Sequence, residues 1–143
     1  MIHLTVEQLS ADPRDPRDDV GPVANVGGAL SIDATGQTVC SEVAFPVVEL
    51  ALALERWRRA RQHTESNFEF DSMSAEGRGL VWIRRSEGGW CIGSVAQGPA
   101  DTPTFSTEEI DGAMDAYLAQ LADLIGEAFG EEWIARLRRL FRQ

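Results

Sequence analysis

The stretch from Phe68 to Gln97 constrains the fold most, because its pattern predicts three short strands in succession. Its first residues alternate phenylalanine with acidic residues, which is the period of a strand with one buried face. Residues 80–83 are four apolar residues in a row, too few for a helix and rich in β-forming side chains. A Ser-Glu-Gly-Gly turn at 86–89 precedes a partner strand over 90–96. We expect the rest of the chain to pack around these strands.

The remaining elements predict an α+β fold with the order βββ-α-βββ-α-α. Residues 2–9 alternate loosely between apolar and polar, and residues 29–43 form a hairpin pattern around a glycine turn. Consecutive strands joined by short turns pair antiparallel. We therefore predict a mainly antiparallel sheet of about six strands, with the helices packed on one face. A chain of 143 residues suits one domain with one core, so residues 1–143 are assigned to a single domain.

Apolar residues at spacings of three and four predict the helices. Pro46 opens the first, where its missing N–H costs nothing. Ser106 and Glu109 match the capping box that begins the second, and Gly130 separates it from a short last helix. The stripes predict that Trp57, Leu118 and Leu121 are largely buried in the core.

Lysine is absent, which excludes chemistry that depends on it. The chain has thirteen Arg and no Lys, so neither a P-loop lysine nor a pyridoxal phosphate attachment is available. Cys40 and Cys91 form no Cys-x-x-Cys motif. Together with His3 and His63, they do not match the sequence spacing of a usual zinc site. Two buried free thiols in a reducing cytosol are favoured over a disulfide. The sequence therefore predicts neither a metal nor a cofactor.

The N-terminus and the hydropathy pattern predict a cytoplasmic protein. The first residues have no basic start and no long apolar run, so no secretory signal is expected. No segment approaches the length of a membrane span, and no membrane contact is expected.

The formal net charge of −10 is unevenly distributed. From Ser86 to Ala135 there are ten acidic residues and no Arg, Lys or His. Nucleic-acid binding is disfavoured, because neutralising phosphates requires a basic surface. The charge favours a basic protein partner, while solubility alone is the competing explanation.

The acidic residues of the second helix are the main candidates for a partner-binding site. They are Glu108, Asp111, Asp115, Asp123 and Glu127. The last four fall on one i, i+4 row, where like charges repel by roughly 0.2–0.5 kcal/mol per pair. Like charges placed this close together are typical of a surface that binds a cationic partner. The proline-rich loop over residues 10–22 offers an alternative site, whose acids are Asp12, Asp15, Asp18 and Asp19.

Four arginines at the end of the first helix also allow both a functional and a structural interpretation. They are Arg56, Arg58, Arg59 and Arg61. A phosphate-binding patch is one interpretation. A solvated helix end, where positive charge suits the helix dipole, is the favoured one.

An enzymatic alternative rests on Glu69 and Asp71, which are two residues apart and share one strand face. Paired carboxylates can perform acid–base chemistry or hold a metal. The alternation with phenylalanine explains both acids as the wet side of a strand, which is the favoured interpretation. A further alternative is a self-associating protein with a housekeeping role, which forms homo-oligomers through Trp-bearing surfaces.

Three motifs in the central strands resemble those of a family of small uncharacterised bacterial domains. The motifs are Phe68-Glu69-Phe70-Asp71-Ser72, Gly79-Leu80-Val81-Trp82 and Gly89-Trp90-Cys91-Ile92-Gly93-Ser94. Members of that family resemble the immunity proteins that accompany polymorphic toxins. The resemblance implies a non-enzymatic protein that binds and blocks a toxin domain, and it carries over no catalytic residue. Our leading hypothesis is therefore an acidic binding module of immunity type with a basic toxin domain as its partner.

Overall fold

The computed structural model describes residues 2–10, 26–61, 66–70, 81–94 and 104–142, and it confirms the α+β class. The first strands and helix are β1 (Ile2–Ser10), β2 (Gly27–Ala34), β3 (Gln37–Phe45) and α1 (Val47–Ala60). They are followed by β4 (Phe68–Phe70), β5 (Val81–Ser86), β6 (Gly89–Gly93), α2 (Thr107–Phe129) and α3 (Glu131–Arg142). The predicted element order is thus confirmed.

The six described strands are divided between two antiparallel sheets. Sheet 1 has the order β1-β2-β3, and sheet 2 has the order β4-β5-β6. In sheet 2, Trp82 lies opposite Gly93 and Ser86 lies opposite Gly89. Gly88 occupies the turn between them with a φ of +82°, a conformation that glycine adopts without strain. The predicted hairpin is confirmed, and its outer ends at residues 80 and 95–96 lie outside the described residues.

Sheet 1 has one buried face and one exposed face. Its central strand β2 alternates strictly between buried and partly exposed residues. Leu4 and Val6 on β1 and Leu30 and Ile32 on β2 point into the core. The core is closed by α1 and α2, which pack against these strands.

Helix α2 runs beside β1 and provides much of the core. Its capping box is present, with Ser106 accepting from the Glu109 backbone N–H at 3.1 Å and Glu109 accepting from the Ser106 N–H at 3.3 Å. Tyr117 is completely buried, and its hydroxyl donates to the Val47 carbonyl oxygen at 2.6 Å. The side chain of Gln120 accepts a hydrogen bond from the Val6 backbone N–H on the edge strand β1.

The predicted core residues are largely confirmed. Trp57 and Leu121 are buried, and Trp57 meets Trp90 edge-to-face with their ring centroids 5.1 Å apart. Leu118 packs against the core but is less completely buried than Trp57 and Leu121. The buried row of α2 includes its neighbours Tyr117 and Leu121, and Leu118 lies at the side of that row.

Helix α3 packs on the other helices. Gly130, with a φ of +95°, ends α2, and the Phe129 and Trp133 rings stack across the junction at 4.5 Å. Leu137 and Leu140 are the buried residues of α3. Among the described residues, no helix has the combined length and apolar character that crossing a membrane requires.

Candidate functional site

The first half of the predicted acidic row is paired with arginines of α1. Arg61 donates from Nη2 to Asp111 Oδ1 at 2.5 Å, and Arg58 donates from Nη1 to Asp115 Oδ1 at 2.7 Å. The Arg61 side chain is 10% exposed, so its pair is shielded from solvent more than a typical surface pair. These contacts offset the repulsion expected between Asp111 and Asp115. They leave neither Asp111 nor Asp115 as a free charge.

The arginines at the end of α1 join helices together. Besides its aspartate, Arg58 contacts Glu55 at 3.1 Å, and the guanidinium carbon of Arg61 lies 4.6 Å from the Trp57 ring centroid. Arg59 donates to the backbone carbonyl of Phe141, near the end of α3. A solvated helix end, the favoured interpretation from the sequence, describes the exposed Arg56 but not Arg58 and Arg61, which are paired across the helices. Their geometry is structural and gives no support to a phosphate-binding patch.

The other predicted partner-binding acids remain exposed. Glu108, Asp123 and Glu127 all lie on the surface, and none forms an ion pair with another described residue. The structure therefore divides the five candidates into two internally paired residues and three exposed ones. The alternative candidates Asp12, Asp15, Asp18 and Asp19 lie outside the described residues.

The carboxylate site of the enzymatic alternative is described only in part. Glu69 is exposed and forms an ion pair with Arg84 at 3.3 Å, while Asp71 lies outside the described residues. Glu69 is paired in register with Trp82, and the Arg84 guanidinium carbon lies 4.3 Å from the Trp82 ring centroid. This is the geometry of a stabilising cross-strand cluster. Within the described part of the chain, no three His, Cys, Asp or Glu residues are grouped so as to hold a metal ion.

A further candidate site is a trough on the outer face of sheet 1, which sequence reasoning missed. It is an open depression of about 400 Å³. We call it the sheet 1 trough, and its lining residues are Thr5, Glu7, Ala29, Leu30, Ser31, Asp33, Ser41 and Glu42. Thr5 is in register with Ser31, and Ser31 with Ser41. A row of three hydroxyls therefore crosses all three strands.

The electrostatics of the trough are uniformly acidic. The described strands of sheet 1 carry Glu7, Asp33 and Glu42, and they contain no Arg or Lys. Asp33 accepts a hydrogen bond from the Thr38 hydroxyl at 2.8 Å. Neither Glu7 nor Glu42 forms an ion pair with another described residue. Both carboxylates are exposed. Glu7 lies on the outer face and is available to a cation that approaches it, whereas Glu42 lies opposite the core-facing Leu30, on the other side of β3.

The nucleophilic side chains behind the trough have structural roles. Burial, and then the negative charge of Glu42, raise the pKa of the Cys40 thiol to about 11. Cys40 is therefore protonated at neutral pH and unsuited to nucleophilic attack. Ser94 is buried and donates to the Val39 carbonyl oxygen at 2.6 Å. Neither Cys40 nor Cys91 forms a disulfide, as the sequence predicted, although Cys91 is only partly buried.

The fold and this surface define a small α+β domain with two antiparallel sheets, one of which presents an open acidic face. The chain belongs to the family described as Domain of unknown function (DUF7878), whose model matches residues 3–127. The matched range includes sheet 1 except for its first residue, all of the described sheet 2, α1 and almost all of α2, while α3 lies beyond it. No curated protein and no solved structure matches the chain. The family description names no activity, no ligand and no link to immunity proteins.

Proposed function

We propose that this protein is a non-enzymatic acidic binding module of immunity type, which binds and blocks a basic toxin domain. The observation that carries the proposal is the segregation of charge. Sheet 1 presents an open face with acidic residues and no Arg or Lys in its described strands. The described arginines belong to α1, sheet 2 and α3.

Several of these arginines are already engaged within the chain. Arg58, Arg61, Arg84 and Arg136 all form ion pairs with carboxylates of the same molecule. The net charge of −10 therefore lies mainly on the acidic residues outside these ion pairs. A field of this sign attracts a basic domain and accelerates its association, while like-charged proteins are repelled.

The enzymatic alternative gains no support from the site geometry. The Glu69 carboxylate is engaged by Arg84, and the thiol of Cys40 is buried and protonated at neutral pH. A binding protein needs neither a nucleophile nor a general base, and the exposed carboxylates and hydroxyls of sheet 1 are sufficient for recognition.

The proposal is tested by capture of a partner and by a growth assay. The tagged chain is used to isolate binding proteins from its native cell, and the association rate of the captured domain is measured at low and physiological salt. We expect a basic domain whose association rate falls with salt, because the Debye length shrinks to about 8 Å at 0.15 M. Co-expression with this chain should restore growth to cells that produce the captured domain.

Two results would contradict the proposal. An acidic partner, or one whose association rate ignores salt, would remove the electrostatic basis. A captured basic domain that leaves cell growth unaffected would show that the partner is not a toxin.

A further inference from the structure

We infer that the sheet 1 trough is the docking surface, and that it accepts an extended cationic segment bearing Arg or Lys side chains. This inference rests on the proposed function and identifies the surface and the form of the partner. It differs from the prediction made from sequence, which placed the contact on α2 or on the loop over residues 10–22.

The outer face of sheet 1 is physically open to a partner. Leu4 and Val6 point into the core on one side of β1, whereas Thr5 and Glu7 point to the opposite side and line the trough. The described helices α1 and α2 pack with the core side. An approaching chain therefore meets β1, β2 and β3 together, without first displacing a described helix.

The arrangement of charge suits two cationic side chains. Glu7 of β1 and Asp33 of β2 both lie on the outer face and line the trough. Glu7 is in register with Ala29, four residues before Asp33, so the two acids are about 13 Å apart along the strands. In an extended segment, residues i and i+4 also lie about 13 Å apart and point to the same side. Two arginines at this spacing can therefore reach both carboxylates.

The floor between the two acids suits the backbone of such a segment. Ala29 has only a methyl side chain and leaves room above β2. The row formed by Thr5, Ser31 and Ser41 offers hydroxyl donors and acceptors across the face. Hydroxyl groups of this kind can bind the polar groups that alternate with the cationic residues of an extended chain.

The acids of α2 are less suited to this role. Asp111 and Asp115 are each held by an arginine of α1, and a partner would have to break those contacts first. In the trough, by contrast, neither Glu7 nor Asp33 forms an ion pair with another described residue, and Asp33 accepts a hydrogen bond from the Thr38 hydroxyl. A cation should therefore bind more favourably in the trough than at Asp111 and Asp115 of α2.

The test uses a fluorescein-labelled peptide of alternating arginine and threonine, with binding measured by fluorescence anisotropy at two salt concentrations. The trough variant is Glu7→Gln with Asp33→Asn. The matched control is Glu108→Gln with Asp123→Asn, which changes the net charge equally on α2. A third variant, Ser31→Trp, fills the centre of the trough without changing the charge. Circular dichroism confirms that each variant is folded.

We expect the trough variant to raise Kd about fivefold, as the loss of two exposed ion pairs implies, and to weaken the salt dependence. Ser31→Trp should also weaken binding, while the α2 control should bind within about twofold of the wild-type chain. If the wild-type chain binds the peptide and the trough variants bind equally well, the trough assignment is overturned and the proposed function stands. Equal losses in the trough variant and the control would also overturn it. A wild-type chain that does not bind the peptide would also overturn the trough assignment, whereas the proposed function is tested separately by partner capture and the growth assay.

Discussion

Replacing Gly93 with alanine should destabilise the protein, because the Trp82 ring lies directly across this glycine. A Cβ atom at Gly93 would lie 2.3 Å from Cζ2, 2.7 Å from Cη2 and 2.8 Å from Cε2 of Trp82. Real Cβ atoms do not approach carbon this closely, so the ring would have to move. Trp82 is 5% exposed, and Arg84 lies 4.3 Å from its ring centroid. The displaced ring therefore loses packing and its contact with the guanidinium group together.

The expected loss is about 1–3 kcal/mol in the free energy of unfolding, which is the usual cost of adding a methyl group to a well-packed site. Urea unfolding monitored by circular dichroism measures this loss, and tryptophan fluorescence reports on the ring environment. Gly112→Ala is the matched control, because a Cβ at Gly112 meets no atom within 4 Å. This control should stabilise helix α2 by roughly 0.5–1 kcal/mol, the helix preference of alanine over glycine.

The reasoning would be refuted by a Gly93→Ala protein as stable as the wild-type chain. Such a result would mean that Trp82 does not lie across Gly93, and the packing of sheet 2 would need revision. A loss of similar size in Gly112→Ala would point instead to a general intolerance of substituted glycines.

Other substitutions test the core and its ionisable groups. Leu121→Ala should cost about 2–5 kcal/mol in chemical denaturation, whereas the half-buried Leu118→Ala should cost less than about 2 kcal/mol; equal losses would contradict the observed orientation of α2. Tyr117→Phe removes the hydrogen bond to the Val47 carbonyl and should cost about 0.5–1.5 kcal/mol in the same assay, so a neutral effect would contradict that bond. The Cys40 pKa is raised from 9.0 to about 11, so the unfolded thiol ionises first and stability should fall as pH rises through this window. Unfolding at pH 8 and pH 10.5 should show a smaller fall in Cys40→Ala, and an unchanged fall would exclude this thiol as its source.

Local patterns in the sequence predicted the elements of the fold well. The hairpin over β5 and β6 follows from turn chemistry between apolar segments, and the start of α2 follows from the Ser106–Glu109 capping box. These features depend on residues a few positions apart, whose interactions are fixed by backbone geometry. The division of the strands into two sheets depends instead on which strands meet in space, and the element order alone does not determine it.

The candidate site was harder to predict for the same reason. Asp111 and Asp115 appeared to be free acids, because their partners Arg61 and Arg58 lie fifty and fifty-seven residues earlier in the sequence. The trough depends on the register between strands, which places Glu7 of β1 and Asp33 of β2 on the same face. Alternation along β1 and β2 indicates which residues point outward. It does not show that two distant carboxylates flank one depression.

The most direct test of the central claim is a titration of the isotope-labelled protein with the arginine–threonine peptide, followed by amide chemical shifts in solution NMR. The sheet 1 trough predicts that the largest shifts occur at Thr5, Ser31 and Ser41, and that they diminish as salt is added. Shifts concentrated at Asp123 and Glu127 on α2, with none on β2, would contradict the account and place the cationic partner on the helix.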